Sequence, residues 1–331
     1  MPSTPSPAGA RGRATLGQTA DVALPVILDC DPGHDDAVAL IIAARHTDLL
    51  GVTTVAGNAS LEHTTRNALT VLEWVDHAAP VHRGADRPLL AAPRHGREVH
   101  GSTGMGDVPF PMPARTADGD DAAAFIVETA RAREGAWLVA TGPLTNVALA
   151  LRRAPDLADR LAGISLMGGS AGVGNRTPVA EYNVWADPEA AAIVFAYGGP
   201  LVMAGLHVTY GLQATPARLT AVQAAHRRLG PVVAQLLASY SRFYLDEHTG
   251  FSGAPVHDAC AVLALTHPEL FARRAAHVVV ETTGQHTRGM TVVDQRPLAR
   301  PLAPNADVLV SVDDDAAFRV IVDTVAAAPP T

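Results

Sequence analysis

The sequence predicts an α/β protein: one domain, residues 21–331, on a mostly parallel open sheet with helices on both faces. Three observations predict it. Short, nearly continuous apolar runs alternate with stretches of helical periodicity, and strands that are apolar on every residue belong in a sheet covered on both sides. Polar residues able to do chemistry fall just beyond those runs, which is where open α/β sheets bind ligands. No repeat or clean linker divides the chain after its first twenty residues.

In chain order, residues 1–20 are rich in Pro, Gly, Ser, Thr and Arg and lack the apolar stretch of a secretory leader. They are expected to form a flexible tail on a cytoplasmic protein. Leu24 to Leu28 reads as the first strand, ending in Asp29, and Asp35 to Arg45 as a helix. Leu49 to Val55 is the next strand and Leu61 to Val75 the next helix. Arg83 to Gly119 is dense in Gly, Pro and His, as expected of a long functional loop. Trp137 to Ala140 is a strand followed by a helix from Leu144. Ile164 to Met167 and Leu201 to Ala204 repeat the strand signal, with a helix from Pro188 to Tyr197 between them. Val278 to Val280, Met290 to Val293 and Val308 to Val312 are expected as later strands, some antiparallel. Trp137 and Trp185 are expected in the core, and His207, at a strand end, as a hydrogen-bonded structural histidine.

Composition removes several classes of function. With 48% apolar and 18% charged residues the chain can build a sizeable core. A net charge of −8 with scattered basic residues offers no clustered surface to displace counterions from DNA or RNA, and no apolar run has the length of a membrane span. All 25 basic residues are arginines, which excludes Schiff-base lysine chemistry and a Walker-type phosphate loop. The lack of lysine also argues against a phosphatase of the haloacid-dehalogenase type, although Asp29-Cys30-Asp31 matches its Asp-x-Asp strand end. Cys30 and Cys260 are too few for a disulfide framework and lie in apolar segments as small buried thiols.

Three constellations carry chemistry. Asp29, Asp31, Asp35 and Asp36 lie within eight residues, around a Pro32-Gly33 turn that opens a helix. Carboxylates so crowded repel one another unless a cation neutralises them, and an all-oxygen set suits a hard ion such as Ca²⁺ or Mg²⁺. Capping by Asp35 or Asp36 explains one or two of the four at most. Far along the chain, His257-Asp258 enters an otherwise apolar helix, where helix capping by Asp258 is an equally good account. Between them, the glycines from Gly168 to Gly174 follow a strand without the spacing of a dinucleotide fingerprint. Asn175, Glu181 and Asn183 instead suit sugar hydroxyls, which donate and accept. Asp187-Pro188-Glu189 reads as a helix start.

Together these blocks resemble the nucleoside hydrolase family, of the inosine-uridine-preferring type. The resemblance runs from about Val26 to Val312. It rests on Asp29-x-Asp31-Pro32-Gly33-x-Asp35-Asp36, Val55-Ala56-Gly57-Asn58, His100-Gly101 with Gly104-Met105-Gly106, Thr141 through Asn146, Met167-Gly168-Gly169 with Asn175 and Glu181-Tyr182-Asn183, and Val256-His257-Asp258. Met105 stands where the family often has leucine. The resemblance implies a Rossmann-like fold and hydrolysis of the N-glycosidic bond of ribonucleosides to free base and ribose. It implies one Ca²⁺ per subunit, held by Asp31, Asp36, Asp258 and the Thr141 carbonyl, with a water on the ion that Asp31 deprotonates. Asp35 and Asn183, with Asn58 close by, are implied to bind the 2′- and 3′-hydroxyls. Asn175 and Glu181 would hold the 5′-hydroxyl end, and Met167 would lie near the sugar. His257 matches a histidine that, in purine-cleaving members, helps protonate the leaving base, and His100 would lie near the base pocket. The partner is a small-molecule nucleoside, and family members are commonly homodimers or homotetramers.

That chemistry is consistent with the residues. The reaction passes through an oxocarbenium-like transition state, which carboxylates around the sugar stabilise. A non-catalytic binding protein on the same scaffold would be expected to have lost the base or a metal ligand, and Asp31, Asp36 and Asp258 are all present. Tyr240, Tyr244 and Phe251 are open between stacking on a base and packing, and His34, at a position variable in the family, is assigned no role.

Overall fold

Strand β1 (Pro25–Cys30) shows why the first apolar run has no polar face. Val26, Leu28 and Cys30 enter one core cluster with the helices Asp36–His46, Ala259–Thr266 and Asp314–Ala326. Ile27 enters the other, with the helices Ala122–Ala132, Thr145–Arg153 and Pro188–Phe195. Alternate residues of one strand thus feed two cores, and each face buries its apolar area at roughly 25 cal/mol per Å². The computed structural model describes residues 23–327 apart from 107, 109, 110, 248, 249, 298 and 301. The expected tail, 1–20, lies outside the described residues.

Seven further strands join β1 among the described residues: β2 (Asp48–Thr54), β3 (Val81–Arg83), β4 (Trp137–Ala140), β5 (Gly163–Met167), β6 (Leu201–Ala204), β7 (Phe271–Ala276) and β8 (Ala306–Val312). Their order is β3-β2-β1-β4-β5-β6-β8-β7. All neighbours are parallel except β7, which runs antiparallel to β8 at the edge. The chain leaves β1 in one direction through β2 and β3, then returns to β4 on the other side of β1. The order therefore reverses between β1 and β4, and the crevice at such a reversal is where this architecture binds ligands.

The strands read from the sequence lie within one or two residues of their observed limits. Strand β7 was not foreseen, because its sequence, FARRAA, puts Arg273 and Arg274 in mid-strand. An edge strand with one solvated face tolerates that. The runs at Val278–Val280 and Thr291–Val293 pair as a separate antiparallel ribbon, as the expectation of antiparallel late strands allowed. The described residues of Arg83 to Gly119 are mostly irregular, with a short helix at Arg97–His100. Trp137 is core, as expected. Trp185 is not: it is half-buried, with the guanidiniums of Arg94 at 4.1 Å and Arg176 at 4.8 Å over its ring.

Asp29 takes a structural place. It accepts hydrogen bonds from Thr53 Oγ1 (2.6 Å) and Asn146 Nδ2 (2.8 Å), and burial pushes its carboxyl up to about 7. Asn146 also donates to the Thr54 carbonyl and accepts from the Ala85 amide, so it ties together four segments. Asn146→Ala leaves several buried polar groups unpaired and is expected to destabilise the fold by about 2–3 kcal/mol. Urea unfolding measures this, and an unchanged midpoint would count against the network.

Candidate active site

The crevice between β1 and β4 has a floor of carboxylates. Asp31 follows β1 directly, and Asp35 and Asp36 begin the helix after the Pro32-Gly33 turn. Thr141 follows β4, and Asp258 arrives from residues far along the chain, at the start of the Ala259–Thr266 helix. Among the described residues, the carboxylates of Asp35, Asp36 and Asp258 offer ligand atoms all within 4.8 Å of one another. Neither Asp35 nor Asp258 uses its side chain to cap its own helix, so capping does not explain them. Asp35 instead accepts from the His257 amide at 3.1 Å, which locks the late segment onto the early one.

Asp31 lies beside this trio. Its Oδ2 accepts from the Asn58 amide at 2.7 Å, while Oδ1 is buried and has no hydrogen-bond partner. Asn58 Nδ2 bridges the Asp31 carbonyl (3.1 Å) and Asp36 Oδ2 (2.9 Å), and Thr141 Oγ1 donates to Asp36 Oδ1 at 2.8 Å. Burial raises the carboxyls of Asp31, Asp35, Asp36 and Asp258, and the charge of neighbouring aspartates adds to the rise for Asp31, Asp35 and Asp258. A divalent cation offsets both effects. An orphaned carboxylate oxygen beside three convergent carboxylates, all hard donors, fits such an ion.

Above the floor opens a cleft of about 800 Å³, part of it open to solvent, lined by Asp35, Asn58, His100, Thr141, Met167, Asn175, Glu181, Asn183, His257 and Asp258 among others. Every residue proposed from the sequence to touch the substrate is there, and Asp31 and Asp36, fully buried, lie beneath. Glu181 accepts from the amides of Gly169 (2.9 Å), Asn183 (2.8 Å) and Val184 (3.1 Å), and burial nevertheless pushes it up to about 7. Asn175 Oδ1 accepts from the Tyr182 amide. Asn183 Nδ2 donates to the carbonyls of Thr141 (2.8 Å) and Met167 (3.2 Å), holding β4 and β5 ends together.

The other wall is aromatic. Tyr240 and Tyr244 line the cleft, whereas Phe251 packs behind, against Tyr244 and Tyr210. His257 has both ring nitrogens engaged, Nδ1 with Thr209 Oγ1 (2.6 Å) and Nε2 with Tyr244 Oη (2.8 Å). Burial lowers its pKa to about 3, so the ring is neutral. That differs from a histidine titrating near neutrality, and hydroxyls of Thr209 and Tyr244 already occupy both of its ring nitrogens. In the sequence Tyr244 is open between stacking on a base and packing, because an aromatic ring suits either and nothing local shows its hydroxyl's partner. His207, as expected, is structural: Nε2 meets the Leu309 carbonyl and Nδ1 accepts from the Ala171 amide. At the mouth, the Arg176–Glu98 ion pair (2.9 Å) bridges the loops on either side.

Carboxylates that can activate water, set below amides that can grip hydroxyls, suit hydrolysis of a small polar molecule. Residues 26–319 match the family model described as inosine-uridine preferring nucleoside hydrolase, and the chain belongs to that family of N-glycosidases. It is 42% identical over 306 residues to a pyrimidine-specific ribonucleoside hydrolase, RihA, of Escherichia coli, covering 91% of this chain and 98% of the relative. Among solved structures it is similar to a purine-preferring ribonucleoside hydrolase from Gardnerella vaginalis, with a TM-score of 0.86 at 30% identity over 91% and 98% of the two chains. It is also similar to a plant nucleoside hydrolase, PpNRh1, with a TM-score of 0.86 at 27% identity over 92% and 99%. Among the described residues, no helix is long and apolar enough to cross a membrane.

Proposed function

We propose that this chain hydrolyses the N-glycosidic bond of ribonucleosides to free base and ribose, with Asp31 as the general base. The observation that carries the reading is Asp31 Oδ1, a buried carboxylate oxygen without a partner beside the convergent carboxylates of the floor. Asp31, Asp36, Asp258 and the Thr141 carbonyl would hold one Ca²⁺, which when bound supplies positive charge that acidifies water and anchors a diol. Asp35 and Asn183, with Asn58, bind the 2′- and 3′-hydroxyls. Asn175 and Glu181 hold the 5′-hydroxyl end, with Met167 against the sugar and His100 near the base. Asp31 takes a proton from water, the water oxygen bonds to the anomeric carbon, and the C–N bond breaks with its electron pair leaving on the base. The hydrogen-bonded Tyr244–His257 pair hands the base the proton it needs as the C–N bond breaks; the proton that Asp31 took from water returns to solvent, and the pair regains its proton from solvent before the next turnover.

The two free, buried cysteines suit a reducing cytoplasm, and a homodimer or homotetramer is the assembly the family resemblance favours. The higher identity to pyrimidine-specific relatives makes uridine and cytidine the first substrates to test.

The deciding experiment measures ribose release from uridine, cytidine, inosine and adenosine with and without a chelator. Release that the chelator abolishes and Ca²⁺ restores is expected; release indifferent to chelation would remove the metal from the reading. His257→Ala is expected to lower kcat on uridine by about 10²-fold. It should spare 4-nitrophenyl riboside, whose leaving group needs no proton. Equal losses on both substrates would contradict a role in protonating the base.

A further inference from the structure

His34 was given no role by its sequence, yet it is 1% exposed and faces His100 through Nδ1 atoms 3.1 Å apart. In such a contact one Nδ1 donates and the other accepts, so one ring must carry its proton on that atom. His34 Nε2 settles which. It is buried without a partner, beside Gly106, where an added Cβ would lie only 2.9 Å from it. Tyr240 covers the ring in a parallel stack, centroids 5.1 Å apart and planes 3° off. If His100 were the donor, His34 would carry its proton on Nε2 and bury an N–H with no acceptor. An orphaned buried N–H is rarer than an under-satisfied acceptor. The hydrogen-bond network therefore puts the shared proton on His34 Nδ1, and His100, accepting there, keeps its own on Nε2. That nitrogen is what the His100 ring has left for a ligand in the cleft it lines.

We propose that His34 is a positioning residue that holds His100 as an Nε2–H donor, so that the site selects bases presenting a carbonyl oxygen. Uracil and hypoxanthine present one; adenine, whose exocyclic group is an amine, does not. The inference rests on the nucleoside hydrolase reading for its substrate and on the Nδ1 contact for its mechanism, and the test separates the two.

His34→Leu and His34→Asn have nearly the same shape and both lose the stack on Tyr240, but only asparagine places an amide donor near the old Nδ1 position. The leucine variant is expected to lose roughly 10–100-fold in kcat/KM on uridine, and less than about threefold on 4-nitrophenyl riboside, which offers no base carbonyl. The asparagine variant is expected to recover most of the loss. In the unsubstituted protein, ¹⁵N spectra of the histidine rings should show His100 protonated at Nε2 and His34 at Nδ1. Leucine and asparagine variants behaving alike, equal losses on both substrates, or His100 protonated at Nδ1 would each overturn the proposal. Should the unsubstituted chain hydrolyse neither substrate, the nucleoside reading fails, and the ¹⁵N spectra still decide the pairing.

Discussion

Asp31→Asn is expected to reduce kcat by about 10³-fold or more while leaving the fold intact. An amide has almost the carboxylate's shape and can keep an oxygen on the Asn58 amide, so the bond at 2.7 Å survives. It cannot take a proton from water, and general-base assistance accounts for roughly 10²–10⁴ in rate. Stability should not fall with it. Burial, then the neighbouring Asp36, raises the Asp31 carboxyl well above the usual range, so a neutral side chain there relieves repulsion. Thermal unfolding of the metal-free protein should show a midpoint equal to or above that of the unsubstituted chain. A variant that keeps more than about a tenth of kcat would remove Asp31 as the base.

Gly57→Ala is expected to be nearly as damaging, although Gly57 contributes no ligand and no side chain. The Asp31 carboxylate is wedged between two glycines. A Cβ on Gly57 would overlap Asp31 Oδ2 and stand 2.8 Å from Pro143 Cδ, and a Cβ on Gly142 would lie 2.5 Å from Asp31 Oδ1. The carboxylate has no room to retreat from one wall without meeting the other. Displacing a reacting group by about 1 Å costs roughly 10²-fold in rate, and overpacking adds about 1–3 kcal/mol of destabilisation. The expected result is a folded protein with kcat down about 10²-fold and metal affinity reduced. Near-native kcat with an unchanged fold would show that Asp31 is less confined than the packing around it implies.

Much of the site was legible before the fold was known, for a definable reason. The acidic block, the amides at Asn175 and Asn183, and the His257-Asp258 pair are polar intrusions at the ends of apolar runs. In a parallel sheet the ends of strands point to one crevice. Asp29 and Asp31 could not be told apart in this way: they are two residues apart in one segment. Asp29 lies within β1 and turns its carboxyl to Thr53 and Asn146, whereas Asp31 lies just past the strand end, beside the acidic floor. Trp185 was misplaced because a tryptophan near an apolar helix signals a core, and nothing local announces two arginines stacking on it.

By itself, the sequence determined the alternation of strands and helices, the acidic character of the crevice and the chemistry its residues can perform, because periodicity and composition are local properties of a chain. Only the tertiary structure decided which carboxylates gather, that the Tyr244 hydroxyl meets His257 on the cleft wall, and that His34 pairs with His100. Those are contacts between residues 13 to 222 positions apart in the chain. Their existence depends on how buried polar atoms find partners once both cores have closed, which no window of the sequence records.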